Sequence, residues 1–331
     1  MSKVLVIGSN SFSGADFIDL LLSEREAEVI GVSRSPEKSP LFLPYLSNPA
    51  CASRYRFYQM DLNQDSEALF ELLRREKPAK IVNFAAQSEV APSWEHPEHW
   101  FMTNGVAIAA LGNFLRRQDW LERYVHISSP EVYGSCEGVV TESAPLNPTT
   151  PYAASKAAGD LMLTTLVKNF EFPLLSVRAT NVYGPHQQLF KIIPRTAIYL
   201  KMNRKIELHG GGQAVKSYIH IRDVSRGELA IMEQGQTGEI YHLSPGQSVA
   251  VREVVKLICD LRGQDFEAMS TPVAERLGQD KAYVISSDKA RSELGWSDRI
   301  DLKTGLRQVV DWVDHYWDEI QQQPLQYVHK P

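Results

Sequence analysis

Cysteine is scarce in this sequence. Among 331 residues there are three cysteines, Cys51, Cys136 and Cys259, and no two of them have the close spacing of a zinc-binding motif. The chain therefore offers neither a disulfide framework nor a cysteine metal site, and we expect no metal at its functional site. Isolated cysteines of this kind are typical of proteins in the reducing cytoplasm, which is the location we expect.

Long apolar runs and a strong excess of charge are also absent. No apolar stretch is long enough to span a bilayer, and the N-terminal segment becomes polar within its first ten residues. The net charge is -5 at pH 7, so general attraction to nucleic acid or to an anionic membrane is not expected. Apolar residues make up 43% of the chain, which is enough for one large domain or two closely joined domains.

Short apolar runs alternate with helical patterns in the first half of the chain. The predicted strands are residues 4–7, 29–32, 56–60, 81–84, 124–127 and 174–177. Amphipathic stretches such as 66–77 and 105–118 lie between them. Because parallel strands need crossover connections and bury both faces, the pattern predicts an α/β fold with a doubly wound parallel sheet of the Rossmann type.

The alternation weakens beyond about residue 183. The rest of the chain contains a glycine turn at 210–212, a short strand at 217–221, and helices at 251–262 and 302–317. We therefore predict a Rossmann domain over residues 1–182 that carries the cofactor and the catalytic residues. Residues 183–331 are expected to form mainly a smaller α/β substrate-binding lobe, with some crossing of the chain between the two.

The turn after the first strand has the pattern of a dinucleotide site. Gly8 and Gly14 bracket it and Phe12 opens the following helix, whose free N–H groups and dipole can hold a pyrophosphate. Ser11 stands where the usual motif has a middle glycine, so an ordinary tight turn is the alternative. The second strand lacks the terminal carboxylate typical of NAD sites, and Arg34 can meet a 2′-phosphate. NADP is therefore favoured over NAD, unless Arg34 is a plain loop charge.

Tyr152 and Lys156 form the candidate catalytic pair. They are four residues apart, so a helix would place them on one face, where the ammonium can lower the pKa of the phenol. Ser128 and Ser129 end the strand that comes before them. A phenolate at Tyr152 could take a proton from a substrate hydroxyl.

Several segments resemble the extended short-chain dehydrogenases that act on nucleotide-sugars. They cover nearly the full chain at residues 83–86, 129–134, 151–156, 178–185 and 218–224. The resemblance implies that Ser129 hydrogen-bonds the reacting hydroxyl and that Asn104 supports the site. By the same resemblance the cofactor-binding residues are Gly8, Ser11, Phe12, Gly14, Arg34, Asp61, Leu62, Ala85, Asn104, Tyr152 and Lys156.

The segment Ser129-Pro130-Glu131 bears on the reaction. It resembles the Thr-Asp-Glu of dTDP-glucose 4,6-dehydratases, in which the glutamate takes the proton from sugar carbon 5. Pro130 replaces the aspartate that protonates the departing hydroxyl, an aspartate that GDP-mannose 4,6-dehydratases also lack. The resemblance implies a nucleotide-sugar 4,6-dehydratase, which oxidises carbon 4, eliminates water across carbons 5 and 6, and returns the hydride to carbon 6. A 4-epimerase or a UDP-glucuronate-type decarboxylase stays open as the alternative.

The resemblance also implies contacts with the substrate, a nucleotide-diphosphate sugar. The residues concerned are Gln87, Ser129, Asn181, Lys191, Lys216 and Lys281. A lysine neutralises phosphate without the bidentate fork of arginine, and each of these lysines could instead be a surface charge. The family further implies a homodimer, formed by the helix from about Gly105 and the helix that carries Tyr152.

Overall fold

A seven-stranded sheet forms the centre of the protein, seen in a computed structural model that describes residues 2–136, 138–274 and 284–329. In chain order the strands are β1 (Ser2–Ile7), β2 (Ala27–Ser33), β3 (Tyr55–Gln59), β4 (Lys80–Asn83), β5 (Arg123–Ile127), β6 (Val139–Val140), β7 (Leu174–Ala179), β8 (Asn181–Tyr183), β9 (Ile206–His209), β10 (Val215–Lys216), β11 (Tyr218–His220), β12 (Ile240–Leu243), β13 (Val249–Ala250), β14 (Ser270–Val273) and β15 (Val284–Ile285).

The helices lie between these strands. They are α1 (Phe12–Glu24), α2 (Cys51–Arg54), α3 (Ser66–Glu76), α4 (Val90–Ser93), α5 (Pro97–Phe101), α6 (Ala107–Leu115), α7 (Pro151–Phe170), α8 (Ile192–Lys201), α9 (Ile221–Gln234), α10 (Val251–Arg262), α11 (Phe266–Met269), α12 (Asp288–Leu294), α13 (Leu302–His315) and α14 (Trp317–Ile320). Three 3-10 turns cover Pro44–Ser47, Pro130–Tyr133 and Gly210–Gly212, and a π-helical turn covers Met102–Val106. None of the helices in the described part of the chain is both long and apolar enough to cross a membrane.

The strand order is β12-β7-β5-β4-β1-β2-β3, and every neighbouring pair is parallel. All seven strands therefore end at one edge, where Gly8, Phe84, Ser128 and Thr180 follow β1, β4, β5 and β7. Ligands of doubly wound sheets bind along this edge. The prediction of a Rossmann-type parallel sheet is confirmed.

Both faces of the sheet are buried under helices. Val4 and Val6 of β1 pack into a cluster with residues of α1 and α9, while Leu5 and Ile7 pack with residues of α3, α6 and α7. These four side chains are at most 2% exposed. Alternate side chains of a strand point to opposite faces, so a continuous apolar run is what such a strand requires.

A second core lies in the smaller lobe. It is made mainly by apolar residues of α8, α10 and α13, such as Ile198, Val255 and Val309. The predicted helix at 251–262 is α10, and the helix predicted at 302–317 forms as α13 followed by α14.

The C-terminal half also returns to the central sheet. Strand β12 pairs with β7, and α9 packs on α1. The sequence pattern misses β12 because Tyr241 and His242 interrupt its apolar run. His242 is nevertheless fully buried, since its ring nitrogens meet the Tyr133 hydroxyl at 2.7 Å and the Ser286 carbonyl at 3.0 Å.

Candidate active site

Two neighbouring cavities lie at the carboxyl edge of the sheet. The larger cavity, of about 510 Å³, contains six of the predicted site residues: Ser129, Glu131, Tyr152, Asn181, Lys191 and Lys216. The smaller cavity, of about 180 Å³, is lined by seven others: Gly8, Ser11, Arg34, Asp61, Leu62, Ala85 and Gln87. The fold thus gathers the candidate catalytic residues and three of the predicted substrate residues in the larger cavity, and most of the predicted cofactor residues in the smaller one. Gln87, which was predicted to contact the substrate, lies instead with the cofactor group.

Four of the predicted residues that the structure describes do not line either cavity. Phe12 and Gly14 lie in the first turn of α1, and Asn104 and Lys156 are buried behind the cavity walls. Lys281 falls outside the described residues.

The glycine turn is tightly packed. Gly8 has a φ of +83°, and a Cβ at this position would lie 2.7 Å from the backbone nitrogen of Ala85. A Cβ on Gly14 would lie 2.4 Å from the Gly8 carbonyl oxygen. Ser11, which replaces the middle glycine, is the N-cap of α1, and its hydroxyl accepts a hydrogen bond of 3.0 Å from the Gly14 amide. The N-terminus of α1 thus borders a cavity, and the two glycines let the backbone pack closely there. This arrangement fits the pyrophosphate of a dinucleotide.

Helix α7 positions the catalytic pair. It begins cleanly because Thr150 caps it, accepting a hydrogen bond of 3.1 Å from Ala153, and because Pro151 occupies the first turn. Tyr152 therefore lies at the helix N-terminus and faces the larger cavity. One turn later, the Lys156 ammonium donates a hydrogen bond of 2.7 Å to the Ile127 carbonyl at the end of β5.

Burial sets the protonation of this pair. It lowers the pKa of Lys156 to about 8. It also raises the pKa of Tyr152, and the nearby Glu131 carboxylate raises that pKa further, whereas a hydrogen bond from Ser129 lowers it. The Tyr152 phenol is therefore neutral. The four-residue spacing predicts that the Lys156 ammonium activates this phenol, but the structure shows the ammonium hydrogen-bonded to the Ile127 carbonyl.

The two adjacent serines have different partners. Ser128 donates a hydrogen bond of 2.6 Å to Asp160, a buried residue of α7 that also accepts one of 2.7 Å from Arg178 of β7. Ser129 instead faces the cavity and hydrogen-bonds Tyr152. This network was not predicted, although Asp160 lies four residues after Lys156 on the same helix face. It ties α7 to the sheet directly behind the catalytic residues.

Glu131 is held by a short turn. Ser129 is the N-cap of the 3-10 turn Pro130–Tyr133 and accepts a hydrogen bond of 3.2 Å from the Glu131 amide. Pro130 suits the first position of this turn, where an N–H has no partner within the turn. It lines the cavity as well, but it has no proton to donate, so the carboxyl of Glu131 is the candidate acid-base group of this segment.

Basic residues also line the larger cavity. Lys191 forms a salt bridge with Glu89, and Lys216 lies on β10. Arg195 is a third cation there that was not predicted, although it follows Lys191 by one helical turn of α8. The Oδ1 atom of Asn181 is buried and has no hydrogen-bond partner within the described residues. Such a wall can hold a diphosphate.

Asn104 connects the loop after β4 to the catalytic helix. It lies in the π-helical turn, is 1% exposed, and its amide group donates to the Gln87 carbonyl and the Ser155 hydroxyl, both at 3.0 Å. Its oxygen accepts a hydrogen bond of 2.9 Å from the Gln87 amide. π-Helical turns are frequent near functional sites, and this one positions other residues.

The comparisons with known proteins point in one direction. A family model described as GDP-mannose 4,6 dehydratase matches residues 5–309. The sequence is 32% identical to the dTDP-glucose 4,6-dehydratase of Streptomyces antibioticus, over 97% of this chain and 96% of that protein. It is 31% identical to the enzyme of that name from Xanthomonas campestris, over 94% of this chain and 93% of that protein.

Solved structures agree with these relatives. The DesIV dTDP-glucose 4,6-dehydratase of Streptomyces venezuelae, with NAD and TYD bound, is similar with a TM-score of 0.88 and 31% identity over 96% of this chain and 98% of that chain. The dTDP-glucose 4,6-dehydratase of Bacillus anthracis in complex with NAD has a TM-score of 0.86 and 25% identity, over 96% and 98% of the two chains.

The expectation of NADP is wrong, because these similar structures contain NAD. The expectation rested on Arg34 following β2. Arg34 does line the smaller cavity. Its charge also acts on two residues of the C-terminal segment, Tyr327 and His329. Burial raises the pKa of Tyr327 and lowers the pKa of His329, and the Arg34 charge lowers both. The sequence position of a long flexible cation did not reveal this second environment, and so did not identify a 2′-phosphate pocket.

The match over most of the chain and the agreement of fold, sequence and site lead to one assignment. The predictions of an extended short-chain dehydrogenase fold, of an enzyme, and of nucleotide-sugar 4,6-dehydratase activity are confirmed. The chain belongs to the GDP-mannose 4,6-dehydratase family.

Proposed function

We propose that this enzyme uses NAD to convert a nucleoside-diphosphate hexose into the 4-keto-6-deoxy sugar nucleotide. The observation that carries the proposal is the convergence of Ser129, Glu131 and Tyr152 on one wall of the larger cavity. Lys191 and Lys216, which line the same cavity, provide positive charge for the diphosphate. We assign the nucleotide-sugar to this cavity and the adenosine half of the cofactor to the smaller one.

The positions in sequence of the residues that line each cavity support this assignment. Every residue that lines the smaller cavity lies between Ile7 and Thr103, and the basic residues of the larger cavity lie beyond residue 183. We therefore propose that residues 1–182 supply the cofactor site and the catalytic groups. Residues 183–331 mainly hold the nucleotide-sugar.

The first step is a proton transfer at sugar carbon 4. Tyr152 must first lose its own proton to solvent, which the positive charge of Lys156 would favour. The phenolate, with Ser129 beside it, then takes the hydroxyl proton. NAD held at the turn of Gly8 and Gly14 would supply the hydride acceptor for carbon 4 and the hydride donor for carbon 6. The carbon 4 ketone makes the proton on carbon 5 acidic.

The elimination then depends on Glu131. Its carboxylate takes the proton from carbon 5, and the same proton leaves with the carbon 6 hydroxyl as water, because Pro130 offers no second acid. Tyr152 returns its proton to carbon 5 as the hydride reaches carbon 6. Protons and hydride balance within the turnover, and water is the only group lost.

Product mass tests the proposal. The purified enzyme is incubated with dTDP-, UDP-, GDP- and CDP-hexoses and with UDP-glucuronate. Loss of one water from one of them is expected and identifies the base. Loss of carbon dioxide would support a decarboxylase instead, and an isomer of unchanged mass would support a 4-epimerase. Acid extraction of the purified enzyme should release NAD, and release of a different nucleotide would contradict the cofactor assignment.

We further propose a homodimer that works in the cytoplasm. Apolar side chains are exposed on adjacent helical segments: Phe101 (40%), Met102 (50%), Val106 (57%), Leu161 (58%) and Phe170 (52%). The first three belong to α5 and the π-helical turn, and the last two to α7. Burial of such a surface against a second copy would remove it from water. The three cysteines do not form disulfides with one another, which suits a reducing compartment.

A further inference from the structure

Three histidines meet on the surface, outside both cavities. His96 precedes α5, His99 lies within it, and His329 comes from the C-terminal segment. Nδ1 of His99 and Nε2 of His329 are 3.0 Å apart, and the three ring centroids lie 5.2 to 5.3 Å from one another. The chain has nine histidines, so a third of them are gathered at this one place.

Glu98 adds a carboxylate to the group. Its Oε1 atom is 3.9 Å from Nδ1 of His96 and 3.8 Å from Nε2 of His99. One ligand atom each from His96, Glu98 and His99 can be chosen so that all three lie within 4.8 Å of one another. The side chains of these residues are 47%, 67% and 29% exposed, so they have room to rotate.

The donor set suits a transition metal. Zinc takes imidazole nitrogen at 2.0–2.1 Å and carboxylate oxygen at a similar distance, which places the donors of a tetrahedral site about 3.4 Å apart. Nδ1 of His99 and Nε2 of His329 are already near that separation. A bound ion would replace their hydrogen bond, because both nitrogens would then direct a lone pair at the metal. His99 would therefore bind through Nδ1, and the exposed Glu98 carboxylate, now near Nε2, would rotate to the same ion.

Aromatic packing explains only part of the arrangement. The His329 ring stacks on Trp100 with centroids 5.3 Å apart, which accounts for one ring at this surface. Stacking does not require two more imidazoles and a carboxylate beside it.

We propose that His96, Glu98, His99 and His329 bind one divalent ion of the zinc class. The ion ties the C-terminal segment to α5. Two residues before His329, the Tyr327 ring packs edge-on against Phe190 at 5.4 Å between centroids, and Phe190 lines the larger cavity. The metal therefore fastens this segment beside the active site.

Zinc binding to untagged, chelator-treated full-length protein tests the site. Competition against a chromophoric chelator should show one tightly bound Zn²⁺ per chain, and the variants His99→Ala and His329→Ala should each bind it at least tenfold more weakly. His315→Ala is the matched control, since His315 is an exposed histidine at the end of α13 and its loss should not matter. No stoichiometric binding, or equal binding by all variants, would overturn the proposal.

Hydrogen exchange tests the fastening of the C-terminal segment. Amides of residues 321–329 should exchange more slowly when Zn²⁺ is added to the wild-type protein, and the zinc effect should vanish in His96→Ala/His99→Ala. Zinc binding without slower exchange of these residues would remove His329 from the site. None of the four ligands lines either cavity, so metal binding and dehydratase activity are measured independently.

Discussion

At the scale of single residues, two carboxylic acids of the larger cavity have contrasting surroundings. Glu131 lies beside Ser129 and Tyr152, where the substrate reacts in the proposed mechanism. Glu228 is only 1% exposed, and its buried Oε2 atom has no hydrogen-bond partner among the described residues. We expect Glu131 to take part in the reaction, and we expect the buried Glu228 to lower the free energy of unfolding.

Replacement of Glu131 by Gln should stop the elimination without stopping the oxidation. An amide cannot take the carbon 5 proton, and a positioned acid-base group contributes about 10²- to 10⁴-fold. We expect kcat for dehydration to fall by at least about 100-fold, while reduced nicotinamide accumulates in a single turnover followed by absorbance. Glu207→Gln, an exposed carboxylate at the rim of the same cavity, should keep nearly full activity. If Glu131→Gln dehydrated the substrate at the wild-type rate, another group would have to take the proton from carbon 5.

Replacement of Glu228 by Gln should stabilise the protein at high pH. Burial raises the pKa of Glu228 well above its ordinary value of 4.5, and the charge of Asp16 adds to this effect. An acid with a raised folded-state pKa has no stability cost below pH 4.5, and the cost grows as the pH rises towards the folded-state pKa. We expect a gain of about 1–3 kcal/mol in the free energy of unfolding at pH 8, the range for an unpartnered buried group.

The comparison with pH 4.5 makes the Glu228 experiment specific. Urea unfolding should give equal stabilities for Glu228→Gln and wild type at that pH, and a difference that widens as the pH increases. Glu71→Gln, on the exposed side of α3, should change stability little at either pH. A constant difference at both pH values would contradict the titration argument.

At the scale of secondary-structure elements, the position of α7 decides the active-site geometry. Thr150 caps the N-terminus of α7. Asn104 donates a hydrogen bond to Ser155 in the second turn of the helix, and Arg178 donates one to Asp160 in its middle. These contacts come from a loop, a π-helical turn and a strand. Few of the groups that hold the catalytic helix therefore touch substrate.

Replacement of Asn104 by Ala should loosen α7 and the loop after β4 together. Three buried hydrogen bonds are lost, two of them to the Gln87 backbone, which costs about 1–3 kcal/mol of stability. We expect a lower urea midpoint and a several-fold lower kcat with KM nearly unchanged. Asn113→Ala, an exposed residue of α6 whose side chain bonds Arg116, serves as the control. Unchanged kcat in Asn104→Ala would argue against a positioning role.

At the scale of the whole molecule, the sheet combines both halves of the chain. Strand β12 follows β7 in the sheet although about sixty residues separate them in sequence. The larger cavity is therefore enclosed by segments that lie far apart in the chain. Its shape depends on the smaller lobe staying packed against the sheet.

The proposed dimer should separate when charge is placed on its apolar surface. Val106→Glu/Leu161→Glu puts two carboxylates among side chains that are 57% and 58% exposed in the single chain, where burial of an unpaired charge is costly. Light scattering coupled to gel filtration should report a dimer for wild type and a monomer for the double variant. Val139→Glu, 64% exposed on β6, should remain dimeric. A wild-type monomer would contradict the proposal.

Local patterns in the sequence determined the elements of this protein. The five apolar runs of β1, β2, β4, β5 and β7 have to be buried on both faces, and the four-residue spacing of Tyr152 and Lys156 holds in any helix. The residue types in the sequence motifs were also enough to predict the family and the reaction class. These features depend on neighbours within a few positions of the chain, so they can be predicted before any fold is known.

Tertiary structure alone decided the surroundings of these residues. It placed β12 in the sheet by giving His242 buried partners, and brought Arg195 and Glu228 to the cavity. It also directed Lys156 to the Ile127 carbonyl and brought His329 to His99. Each of these contacts joins residues that are distant in sequence, and burial, which sets pKa values, depends on the whole packed core. The chemistry of the side chains was determined by sequence, and their partners and ionisation were determined by the fold.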